Sequence, residues 1–130
     1  MGVQYGGTSI KMDQDDAQIT FKGRTIGIKV RDFNGMGYIF GVELKNGVWE
    51  NVSPFFAEFD DLYTPKKAIE QHGNALSYVK NVLVTPINEW LLTMFPSSPA
   101  TLSPIDEISN VLGGFLKWVP QPNGTLQVEV

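Results

Sequence analysis

The chain has 130 residues, no cysteine and a formal net charge of −4, with eight Phe, three Trp and four Tyr to fill a core. That length suits one domain, long enough to bury roughly two-thirds of its unfolded surface. The missing cysteines exclude disulfides and thiolate metal sites, and the acidic balance disfavours nucleic acid and anionic membranes as bulk partners.

Residues 1–17 are polar, glycine-bearing and without a period, and predict an extended arm ahead of a single domain spanning 18–130. Met1–Ile10 lacks the basic start and apolar middle of a secretory signal, and no apolar run reaches a membrane-spanning length. A location in the cytoplasm or in a virion is expected. Asp13, Asp15 and Asp16 resemble the opening of a calcium loop, but Gln18 and Arg24 stand where such a loop needs Gly and Glu. No metal or cofactor is expected.

Four strands follow. Gln18–Lys22 alternates through Ile19 and Phe21, and Thr25–Arg31 through Ile26, Ile28 and Val30. Tyr38–Leu44 sets Tyr38, Phe40, Val42 and Leu44 on one face, and Val48–Val52 carries Trp49. Gly23, Asn34-Gly35 and Asn46-Gly47 mark the turns, since a type I′ turn needs positive φ at both central residues. The expectation is an antiparallel meander packed by one face on helix. Ser53–Tyr63 reads as a connector whose phenylalanines, Phe55, Phe56 and Phe59, tuck under the sheet edge.

Thr64–Phe95 has the longest helical period. Ile69, His72, Leu76, Val79 and Leu83 form one stripe behind a Thr64-Pro65 start. Gly73 sits inside it, where close approach to another backbone would explain a glycine. Pro86 predicts a kink or break near Thr85, giving a kinked helix pair, Pro65–Val84 and Pro86–Phe95. Ser103-Pro104 predicts a short helix to Leu112, ended by Gly113-Gly114. Phe115–Val119 and Thr125–Val130 predict a C-terminal β-hairpin. The fold class is therefore α+β.

No P-loop, dinucleotide fingerprint or nucleophile elbow is present, and the one histidine, His72, lies in an apolar stripe. The chain is expected to be no enzyme. Its informative feature is apolar surplus. Trp90, Leu91, Leu92 and Met94 on the second helix, with Leu126, Val128 and Val130 on the last strand, form the expected interface with other protein chains. The terminal strand suits addition to a neighbour's sheet edge. These features predict a structural or interaction subunit of a homo-oligomer or multi-subunit assembly, such as a small phage decoration or connector protein. The alternative is a nucleic-acid-binding sheet using Lys22, Arg24, Lys29 and Arg31 beside Tyr38. Six acidic residues against one lysine over Asp32–Asp61 weaken that field.

Overall fold

The computed structural model describes residues 16–33, 36–59, 73, 75–98, 107–108 and 115–130. Four strands form the meander: β1 (Ala17–Phe21), β2 (Arg24–Phe33), β3 (Met36–Lys45) and β4 (Val48–Phe59). Lys22-Gly23 and Asn46-Gly47 turn the chain with positive φ at both positions, the geometry that two-residue hairpins require. A short β5 (Glu107–Ile108) adds antiparallel to β1, so the sheet order is β4-β3-β2-β1-β5.

Alternation along the strands places Ala17, Ile19, Phe21, Ile26, Ile28 and Ile39 in one buried cluster. Against it packs a single continuous helix, α1, made of Ala75–Tyr78, a π-helical turn Val79–Leu83, and Val84–Met94. Val79, Leu83, Ile87, Trp90, Leu91 and Met94 point from it into the same core. The C-terminal hairpin, β6 (Lys117–Pro120) and β7 (Leu126–Glu129), closes that core with Trp118, Leu126 and Val128.

The expected helix pair is corrected at both ends. Gly73 has φ +88°, so no helix runs through it, and no atom of the described residues lies within 4 Å of where its Cβ would stand. Its conformation, not close packing, is what calls for glycine. Leu76, expected on the buried stripe, is exposed. Pro86 does not break the helix. The π-turn ahead of it ends with the Val84 amide bonded to the Val79 carbonyl, and Leu83 stays right-handed at φ −97°. Pro86 then falls in the first turn of the following α segment, where a missing amide donor costs least. The Thr64-Pro65 start, Ile69 and His72 lie outside the described residues.

Two further expectations change. β4 runs to Phe59, through most of the expected connector. It is an edge strand and is bulged against β3, which is how it accommodates Pro54. In place of a helix opened by Ser103-Pro104, Glu107 and Ile108 pair with Thr20 and Ile19. The otherwise open backbone edge of β1 outweighs a local capping signal there. Of the expected arm, residues 1–15 lie outside the described residues, whereas Asp16 and Ala17 are buried.

Candidate interaction surface

β3 is apolar on both sides. Ile39 faces the helix, and Gly41 lies under the Trp90 ring: a Cβ at Gly41 would stand 2.6 Å from Trp90 Cζ2. Phe40 and Val42 face the other way and form a separate buried cluster with Tyr38 and Trp49 packed on it. Successive strand residues point to opposite sides, so the adjacent Phe55 and Phe56 divide between the two faces, and the β-bulge between β3 and β4 lets Phe56 and its neighbour Ala57 both pack on the helix-side core. The Ser53 hydroxyl fills the irregularity, accepting the Gly41 amide at 2.6 Å and donating to the Pro54 carbonyl at 2.7 Å. Phe56 is buried, its ring centroid 5.5 Å from that of Trp90. Phe55 is 41 % exposed; its ring lies tilted over Tyr38 with centroids 4.4 Å apart and meets Phe40 edge-on at 5.8 Å. With Leu44 exposed further along β3, an apolar stripe about 20 Å long follows that strand, at 3.4 Å per residue.

The basic residues of the first hairpin are dispersed. Arg24 is on the helix side, where its guanidinium makes a bidentate pair with Glu43 at 2.8 and 2.9 Å and donates to the Met94 carbonyl at 2.7 Å. The Glu43 hydrogen bond raises the Arg24 pKa above its ordinary value, against a smaller opposing effect of burial. Lys22 caps the Gly124 carbonyl at 2.5 Å. Lys29 and Arg31 share a side of the sheet with Tyr38 and Phe40, their cross-strand neighbours. Both bind Asp16, at 2.8 and 3.2 Å, and the Lys29 and Asp16 side chains are wholly buried. The structure therefore brings Lys29, Arg31 and Tyr38 together and sends Lys22 and Arg24 elsewhere. In each case a carboxylate or carbonyl of the chain itself receives the cation.

The residues expected at a partner interface divide in the same way. Trp90, Leu91, Met94, Leu126 and Val128 are buried within the chain's own core. The hairpin accounts for this, because it lies along α1 and covers the side of the helix that a sheet of this width leaves over. Leu92 and Val130 remain 54 % and 45 % exposed. The last strand does not present a clear edge either. At Val128 both backbone groups are taken by the Asn88 side chain.

Three residues that organise this arrangement carry no motif: Asp16, Gly41 and Asn88. A charge directly before an alternating run was the available signal for Asp16, and a glycine interrupting such a run was the signal for Gly41. Asn88 had none.

Among the described residues no three His, Asp or Glu side chains gather in a way that could hold a metal ion. No helix of the described residues is long and apolar enough to cross a membrane. No family model matches the chain, and no curated protein or solved structure is significantly similar to it.

Proposed function

We propose that the chain is a non-catalytic structural or interaction subunit of a protein assembly, and that it meets its neighbours through the sheet side turned away from α1. The observation that carries this reading is Phe55, a large aromatic left 41 % exposed on top of a second apolar cluster. Phe40 and Val42 at the centre of the stripe are buried, while Phe55 and Leu44 are its exposed members, and exposed apolar area of this kind is what a contact surface offers a partner. Beside the stripe the Asp16 carboxylate faces both Lys29 and Arg31 and offsets one of their two charges, which limits the field that a protein neighbour meets. Leu92 and Val130 offer smaller secondary contacts. Within this class the virion form, a decoration or connector component, rests on the sequence alone, with its polar start ahead of a compact core. The nucleic-acid alternative draws less support, because its cations already serve internal acceptors.

The experiment is sedimentation velocity over a wide concentration range, on the wild type and on Phe55→Glu. Concentration-dependent association that Phe55→Glu abolishes is the expected result. A wild type that stays monomeric throughout, and that crosslinks to no copy of itself, overturns the reading.

A further inference from the structure

Two Asn-Gly pairs lie in described hairpin turns, Asn46-Gly47 and Asn123-Gly124, and the fold treats them oppositely. In an Asn-Gly sequence the glycine amide nitrogen can attack the asparagine side-chain carbonyl carbon. The new C–N bond closes a five-membered imide, the bond to Nδ2 breaks, and ammonia leaves. Water then opens the imide at either carbonyl, giving aspartate or isoaspartate. The reaction needs no enzyme, only an asparagine side chain and a glycine nitrogen that no other contact holds or obstructs.

Asn46-Gly47 meets that need. Both residues are exposed, nothing lies within 4 Å of where a Gly47 Cβ would stand, and no hydrogen bond holds the Asn46 side chain. Asn123-Gly124 does not. The Asn123 Oδ1 accepts from the Thr125 hydroxyl at 2.6 Å and from the Thr125 amide at 3.2 Å, a local ring of the Asx type. The attacking atom is tied as well, because the Gly124 amide donates to the Gln121 carbonyl at 3.0 Å. Around it, Lys22 holds the Gly124 carbonyl and the Ser98 amide donates to the Asn123 carbonyl. A Cβ at Gly124 would stand 2.6 Å from Lys22 Nζ and 2.7 Å from Ser98 Oγ, so side chains from two other segments crowd this turn.

We propose that Asn46-Gly47 is a site of spontaneous imide formation and deamidation, and that the fold withholds the same chemistry from Asn123-Gly124. The modification adds a negative charge beside Lys45. As isoaspartate it also inserts an extra backbone carbon into the two-residue turn that sets the register of β4. The β4 residues Trp49 and Phe55 would be displaced with it.

The test is peptide mapping by mass spectrometry that separates Asn, Asp and isoaspartate, on the purified full chain aged at mildly alkaline pH. Asn46 is expected to convert, with Asn123 lagging about tenfold or more because its hydrogen bonds must open first. In denaturant the two sites should convert at similar rates, which assigns the difference to the fold. Asn46→Gln should remove the aged product at this turn, since the longer side chain closes a less favourable ring. Equal conversion of the two sites in the folded chain, or an Asn46 that persists while the denatured chain converts, overturns the proposal.

Discussion

The Asn88 side chain binds the Val128 backbone as a neighbouring strand would: its Nδ2 donates to the Val128 carbonyl at 3.1 Å and its Oδ1 accepts the Val128 amide at 2.7 Å. Val128 thus has both its main-chain groups turned toward the helix rather than toward β6. One helical side chain thereby ties the last strand to α1 and closes part of its outer edge. Asn88→Ala would leave a donor and an acceptor unsatisfied in the interface. Stability should fall by about 1–3 kcal/mol, the typical penalty for such orphaned groups. Urea denaturation checks this, and a loss below a few tenths of a kcal/mol would show that the last strand is held by packing alone.

Asp16 offers the sharpest electrostatic test. Its carboxylate serves Lys29, Arg31 and the Val30 amide, and both it and the Lys29 side chain are wholly buried. Removing one partner of a buried pair leaves the other charge less well compensated, so Asp16→Ala should cost about 3–5 kcal/mol. Replacing both by apolar groups removes the share of that penalty due to the buried ammonium, although Arg31 and the Val30 amide still lose a partner. The double variant Asp16→Leu with Lys29→Met should therefore be clearly more stable than Asp16→Ala, as read by thermal denaturation. If the double variant is the less stable of the two, the pair is not the source of the loss.

Gly41 and Trp90 make a steric prediction. Gly41→Ala places a methyl group 2.6 Å from the indole ring, inside any tolerable contact. Overpacking of this kind costs about 1–3 kcal/mol. Trp90→Leu alone should also destabilise, through the volume it removes. In the double variant the added methyl group enters vacated space, so the losses should be less than additive. A double-mutant cycle with no coupling would place the ring elsewhere.

These sites show where the sequence was readable. The meander, its two described turns and the terminal hairpin follow from alternation and from residues that accept positive φ, which are local properties. Burial by partners distant in sequence is not local. Lys29 reads as one more solvated strand lysine until Asp16 is seen against it. Trp90, Met94 and Val128 read as apolar surplus until the hairpin and helix are seen to cover one another. Phe55 and Phe56 read as one connector pair until residues 53–59 are seen to continue the strand, whose alternation sends them to opposite sides. The sequence pattern thus supports the fold class, while the exposed surface emerges only after the chain's own contacts are subtracted.

The last prediction concerns Pro86. A proline inside a helix costs about 3 kcal/mol or more when it displaces an established hydrogen bond and presses on the preceding turn. Here the π-helical turn Val79–Leu83 precedes it, and Pro86 occupies the third position of the α-helical segment Val84–Met94. Its absent donor is among the groups a new α ladder leaves open in any case. Pro86→Ala should therefore change stability by well under 1 kcal/mol in either direction. Ile87→Pro, one residue further on and facing the core, should unfold the helix. Circular dichroism with urea titration separates the two outcomes. If Pro86→Ala instead stabilised the chain by about 3 kcal/mol, the proline would be straining the helix and the π-turn would not be accommodating it.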